Sequence, residues 1–333
     1  MSEDYLPVHR PVLLAECLNY LSPAGEAYAH EALMIDCTLG EGGHSEAFLT
    51  KYTDLRIIGL DADPEIQARA KVRLAAFGSR VTFHTGWFND FLANYFSGNY
   101  PPPNLILFDL GVSVYHYELS GRGFSFSADE NLDMRLNPLS EATAAGLVNR
   151  LPETELADVI FRFADEQYSR RIARAITERR KSAAIRTAAE LAEIVYQAVP
   201  AVYRHGGIHP ATRTFQALRI AVNAELARLF PALQSAFEIL SPGGKLGVIS
   251  FHSLEDRVVK NYFRSLCRDC VCPPGEPICI CGRKRVAEGL AKKSVTAGEA
   301  EVRANPPSRS ARLRVVRKLE NENAARKRFA SIK

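Results

Sequence analysis

The stretch that most constrains this chain runs from Leu33 to Asp63, where ALMIDCTLGEGGHSEAFL is followed by RIIGLDADP. Ala32, Leu33, Met34 and Ile35 form a short apolar run expected of a strand enclosed on both faces, and Asp36 closes its carboxyl end. Gly40, Gly42 and Gly43 then permit a sharp turn in which a ligand can approach main-chain N–H groups, before a helix that begins near Ser45. Ile57, Ile58, Gly59 and Leu60 form a second strand-like run that ends in Asp61. A carboxylate there, roughly 20 residues past the first glycine, is placed to accept hydrogen bonds from a ribose diol. The stretch therefore reads as a βαβ unit with a nucleoside pocket.

Its spacing separates two kinds of nucleoside cofactor. Dinucleotide enzymes use GxGxxG to bring a helix N-terminus onto pyrophosphate, whereas the order here is D-x-T-x-G-x-G-G-H. S-adenosylmethionine carries no phosphate but has a cationic amino-acid end, which an acid and carbonyls near Asp36 suit better. The bland alternative is a glycine-rich turn of structural use alone; Asp61 in register weighs against it.

Two further acid-bearing segments extend the pattern. Leu105 to Asp109, LILFD, is a third acid-terminated strand, and the following DLGVSVYHYELSGRGFSF reads as an active-site loop. From Ser140 to about Val199 only helical patterns occur, too long for a crossover connection and expected of an inserted domain. The expected organisation is a core in two parts, 1–135 and 211–333, interrupted by a helical substrate domain over 136–210. LGVISF after Pro242-Gly243-Gly244 is a later strand, expected at an antiparallel edge, and Ala311 to Val316 a final one.

At 333 residues the chain is expected to form about two domains. Neither a leader peptide nor an apolar run of about 20 residues is present in the sequence, so a cytoplasmic location and no membrane partner are expected. From Gly282 to Lys333 there are 15 Lys+Arg against 5 Asp+Glu, in a chain whose formal net charge is only +4. That asymmetry favours a polyanionic partner, with a solvated basic tail as the alternative.

Five of the seven cysteines, Cys267, Cys270, Cys272, Cys279 and Cys281, fall in CRDCVCPPGEPICICG. Two Cys-x-Cys pairs around a proline turn are able to gather thiolates about zinc; reduced surface thiols or an occasional disulfide are the other readings. No metal and no catalysis is assigned to them.

With these segments in place, the chain resembles the bacterial 16S rRNA cytosine N(4)-methyltransferases, the small-subunit rRNA methyltransferase H type. HRPVLLAE, DCTLGEGGHS, GLDADP, DLGVS with RGFSF and LDMR, HPATRTFQALRIAVN, PGGKLGVISFHSLEDR and NPPSRSARLR carry the resemblance over nearly the whole chain. It implies an α/β fold with a Rossmann-like methyltransferase sheet, an inserted all-helical domain, S-adenosyl-L-methionine as methyl donor, and 16S rRNA of the small ribosomal subunit as partner. Cofactor contacts carried over fall on Gly42, Gly43, His44, Asp61, Phe88 and Asp109. A family glutamine in DLGVSSPQ falls on His116, where this sequence reads DLGVSVYH. Asp109 is the candidate catalytic residue, an acceptor for the amine N–H, and Tyr115, Phe124 or Phe126 are candidates to stack on the base. Arg213 and Arg257 are candidates for phosphate contacts.

Overall fold

The computed structural model describes residues 10–23, 32–270, 272, 278 and 281–320. Its strands are β1 (Leu33–Asp36), β2 (Arg56–Asp61), β3 (Val81–Thr85), β4 (Leu105–Asp109), β5 (Lys245–Ser250), β6 (Ala287–Gly289) and β7 (Arg312–Lys318). Helices α1 (Leu14–Tyr20), α2 (Gly43–Lys51), α3 (Pro64–Arg73) and α4 (Phe88–Ala93) come before β4. After it come α5 (Val114–Glu118), α6 (Ala144–Arg150), α7 (Glu153–Ala164), α8 (Ser169–Arg179), α9 (Ala188–Ala198), α10 (Ala201–Arg204), α11 (Ala211–Asn223) and α12 (Glu225–Ile239). α13 (Ser253–Leu266) follows β5, and α14 (Glu299–Ala304) precedes β7.

The chain forms two compact units, one of Met1–Gly111 with Arg228–Lys333 and one of Val112–Ala227. In the first, the sheet order is β3-β2-β1-β4-β5-β7-β6. β1 to β5 are parallel neighbours, β7 runs antiparallel to β5, and β6 antiparallel to β7. This is the expected Rossmann-like α/β sheet. Period-two alternation sends Leu33 and Ile35 to one face with Phe108, Val248 and helices α4, α12 and α13. Met34, Ile57 and Leu107 face the other side, with α1, α2 and α3.

One strand differs from its expected place. β5 is not an antiparallel edge: it pairs in parallel with β4 from Leu105↔Lys245 to Asp109↔Ile249. All six of its residues are buried, the pattern of a strand covered on both faces. The antiparallel edge is supplied by β7 and by the three-residue β6, which is too short to leave a periodic signal.

The second unit is helical apart from a single bridge, Asn131 with Thr187, among its described residues. The 136–210 span lies inside it. Its core also takes in Phe124, Leu132 and Met134 before that span and Ala211, Phe215, Leu218 and Val222 after it. Residues 112–135 thus contribute buried side chains to that core. Buried Asn223 fastens them, accepting Leu136 N–H at 2.8 Å and donating to Met134 O at 2.8 Å. Buried Arg122 donates to the carbonyls of Arg135 and Leu136, both at 3.2 Å. Arg135 in turn forks onto Asp133 at 2.8 and 2.7 Å.

At Gly123 the backbone has φ +70°, and an added Cβ would be driven into the main-chain oxygen of Asn131. Backbone cannot step aside as a side-chain tip can. Gly123→Ala is therefore expected to destabilise the protein by about 2 kcal/mol or more. Urea unfolding followed by fluorescence checks this, and an unchanged midpoint would show that residues 120–135 are loose.

Candidate active site

Three carboxylates stand at the carboxyl ends of adjacent strands, Asp61 on β2, Asp36 on β1 and Asp109 on β4. Each meets different chemistry. Asp61 accepts the Gly40 N–H on Oδ2 at 2.8 Å and the Asp63 N–H on Oδ1 at 2.9 Å. The bond to Gly40 also pins the glycine turn to β2, helped by Leu39 N–H donating to Leu60 O at 2.7 Å.

Within the turn the glycines have separate jobs. An added Cβ on Gly43 would strike Pro11 at 2.6 Å, and one on Gly42 would touch Leu74 at 3.0 Å. These two are small because protein lies against them. Gly40, with φ +54°, has nothing within 4 Å in that direction. It is the glycine of the three beside which a ligand has room, although the contacts implied by the family resemblance fall on Gly42 and Gly43. Glu41 faces inward and pairs with Arg69 at 3.6 Å.

Asp36 is buried at the end of β1, accepting the Ser45 hydroxyl at 2.7 Å and the Thr38 N–H at 3.4 Å. Burial outweighs those bonds and raises its carboxyl to about 6, with Asp61 adding repulsion. Thr38 links the strand ends, its Oγ1 accepting the Asp109 N–H at 2.6 Å.

Asp109 is strongly perturbed as well. Burial pushes its carboxyl well above the usual carboxylate range, and the charges of Asp36 and Glu255 push it further. Its Oδ1 is buried without a hydrogen-bond partner among the described residues. Its Oδ2 lies 3.5 Å from His44 Nδ1. The other ring nitrogen, His44 Nε2, is 3.0 Å from the Val12 carbonyl. A carbonyl only accepts, so Nε2 carries the hydrogen, and in a neutral ring Nδ1 turns its lone pair toward Asp109. Pro11 and Val12 therefore position the turn and its histidine. No local signal in the sequence announced that contact.

Phe88, the first residue of α4, is half-buried and sets its ring edge-to-face with Phe108, one residue before Asp109, at 5.4 Å. Gly42, Gly43, His44, Asp61, Phe88 and Asp109 thus all belong to the first unit, around the ends of β1, β2 and β4.

His116 belongs to the second unit. It is buried in the capping box of α5, where Nδ1 accepts the Ser113 N–H at 3.2 Å, and its ring packs edge-on to Phe124 at 5.3 Å. Tyr115 and Phe124 are buried as well, which leaves Phe126 as the more accessible aromatic; it lies over exposed His209 with ring centroids 4.6 Å apart.

The His252–Asp256 segment caps α13. Buried Glu255 accepts the Phe251 N–H at 2.9 Å, and His252 Nε2 lies 3.1 Å from it. Asp256 is held in a two-pronged pair with Arg314 at 2.7 and 3.0 Å. These acids are occupied by structure. The same segment borders a groove of about 670 Å³ in the first unit, lined by the cations Arg257, Lys260, Arg309 and Arg312. Arg213, in the second unit, donates to the Asp165 carbonyl at 3.3 Å.

Comparison with known proteins places this geometry in context. The family model described as the MraW methylase family matches residues 7–319. A protein named ribosomal RNA small subunit methyltransferase H from Treponema denticola is 58% identical over 314 residues, covering 94% of this chain and 98% of its own length. One of the same name from Heliobacterium modesticaldum is 44% identical over 313 residues, covering 93% and 98%. Among solved structures, an rRNA methylase from Streptococcus thermophilus aligns over 95% of this chain and 100% of its own, with 10% identity and a TM-score of 0.43. That likeness is too distant to bear on function.

Asp36 makes the site pH-sensitive in a definite direction. Its carboxyl is at about 6 in the folded protein against 3.8 ordinarily, so the native state holds its proton more tightly than the unfolded chain. The stability it contributes is complete below about pH 4 and is lost as pH rises through about 6. Asp36→Asn, which cannot ionise, is expected to be more stable than the parent by up to about 3 kcal/mol at pH 8 and equal to it near pH 3.5. Denaturant midpoints across that range test the sign; coincident curves at pH 8 would remove the buried charge from the account.

Proposed function

The chain belongs to the MraW methylase family, and from that premise we propose that it methylates the exocyclic N(4) amine of a cytidine in the decoding region of 16S rRNA, using S-adenosyl-L-methionine. The observation that carries the reading is Asp109: a carboxyl at a strand end, its Oδ1 buried and unpartnered, within ion-pair reach of a tethered histidine. The cofactor, when bound, supplies an electrophilic methyl group on a cationic sulfur.

The residues fit that group by their chemistry. Asp61 stands at the end of the second strand, where a carboxylate suits a ribose diol, Gly40 leaves room beside the turn, and Phe88 offers partly exposed aromatic surface for adenine. Asp36 and Asp109 lie where a cation lowers the cost of ionising a buried acid.

The difficulty in the reaction is the amine, whose lone pair is delocalised into the cytosine ring. Asp109 Oδ1 accepts a hydrogen bond from the amine N–H, which localises the lone pair for in-line attack on the methyl carbon. As the new N–C bond forms and the methyl–sulfur bond breaks, the nitrogen's surplus proton passes to Asp109. His44 Nδ1 can take it onward, because the imidazolium so formed keeps Val12 O as partner for Nε2–H. The groove cations are offered to rRNA phosphates. Work on small-subunit rRNA implies a cytoplasmic location.

Purified protein incubated with labelled S-adenosylmethionine and undermodified small subunits is expected to place label in N(4)-methylated cytidine, identified by nucleoside mass spectrometry. Asp109→Asn should lower the transfer rate by about 10²–10⁴ with the fold intact. Asp61→Ala should instead raise the KM for S-adenosylmethionine more than it lowers kcat. Full activity in Asp109→Asn would remove this residue from the mechanism, and label found only in DNA would replace the substrate.

The groove makes a separate prediction. Replacing Arg257 and Arg309 by Ala should weaken rRNA binding and reduce the slope of log affinity against log salt by roughly one for each phosphate that is no longer neutralised. An unchanged slope would show that the groove faces no phosphate.

A further inference from the structure

Between α13 and β6 the chain makes an excursion from Cys267 to Val286 that the catalytic reading leaves unused. Its base is tied shut. Val286 N–H donates to Leu266 O at 3.0 Å, Arg285 N–H to Asp269 Oδ1 at 3.1 Å and the Arg283 guanidinium to Ser265 O at 2.9 Å. Above that base the described residues supply no apolar core; Ile278, the large hydrophobic side chain among them, is 74% exposed.

Cysteines gather there instead. The Sγ atoms of Cys270, Cys272 and Cys281 all lie within 4.8 Å of one another, and Cys270 and Cys281 are 3.8 Å apart. Sulfurs in a disulfide stand at about 2.05 Å. Thiolates around tetrahedral zinc, at Zn–S distances of about 2.3 Å, are separated along the tetrahedron edge by about 3.8 Å. The Cys272 N–H donates to Cys270 Sγ at 3.4 Å, a contact that spreads thiolate charge. Arg268, Arg283, Lys284 and Arg285 surround the cluster in sequence and offset a site that is anionic even with a divalent ion in place.

We propose that Cys270, Cys272 and Cys281 bind a structural zinc ion that holds this excursion together. Cys279 lies outside the described residues, and the fourth coordination position is left unassigned. Cys267, which packs against the core below, is not one of the ligands. The ion holds the fold of the excursion, and no step of methyl transfer runs through it.

The test uses the full chain, purified and assayed in a non-thiol reductant. Elemental mass spectrometry after gel filtration is expected to find about one zinc per chain, and cobalt added to chelator-stripped protein should give the near-ultraviolet band of thiolate-to-cobalt charge transfer. Zinc should also slow tryptic cleavage at Arg283 to Arg285. Cys270→Ser and Cys281→Ser should each lose the ion and the protection while circular dichroism of the core is unchanged, and Cys267→Ser should keep both. Zinc below about one-tenth of an equivalent and no cobalt band in the stripped parent chain would overturn the proposal, a readout that stands even if the variants misfold. Equal zinc uptake by a folded Cys270→Ser/Cys272→Ser/Cys281→Ser variant would overturn it too.

Discussion

Parallel strands carry their carboxyl ends to one edge of a sheet, so acids that close neighbouring strands are forced together. In this protein β2, β1 and β4 lie side by side and end in Asp61, Asp36 and Asp109. Three like charges at such spacing cannot all be held in the same way. Asp61 accepts hydrogen bonds from two main-chain N–H groups; Asp36, buried, is raised to about 6; Asp109 is raised well above the usual carboxylate range and meets a histidine. The glycine turn, the helix that bears His44 and the segment that supplies Val12 are all arranged about this crowded edge. The dry environment costs stability and makes Asp109 basic once it ionises.

Much of that edge was legible in the sequence, because it is written in short-range signals. Apolar runs ended by Asp36, Asp61 and Asp109 mark strands, and glycines mark the turn between two of them. What stayed hidden depends on contacts between distant residues. Pro11 against Gly43 and Val12 O against His44 join segments with no shared periodicity. β6 is three residues long, and the direction of β5 is set by which partner it pairs with, information absent from LGVISF itself. The packing of Phe124, Leu132 and Met134 was concealed by glycines and charges that give that segment the composition of a loop.

Reactive residue types also proved poor guides by themselves. His116 and Glu255 have side chains suited to catalysis, yet each caps the first turn of a helix. A buried helix end must satisfy its orphan N–H groups, and short polar side chains nearby are recruited for that before any chemistry. Asp109 is distinguished by the opposite condition: one of its oxygens is buried and, among the described residues, has nothing to bond.

The second unit, Val112–Ala227, is spliced between two strands that are neighbours in the sheet, for Leu105 pairs with Lys245. During synthesis β4 therefore leaves the ribosome long before the strand that will cover its open edge. A helical insert with its own core can form from local contacts in that interval and shorten the loop that β4 and β5 must close. Until β5 arrives, the β4 edge is exposed and able to pair with another nascent chain. The interruption thus sets the order in which the protein can be assembled, with the catalytic sheet completed last.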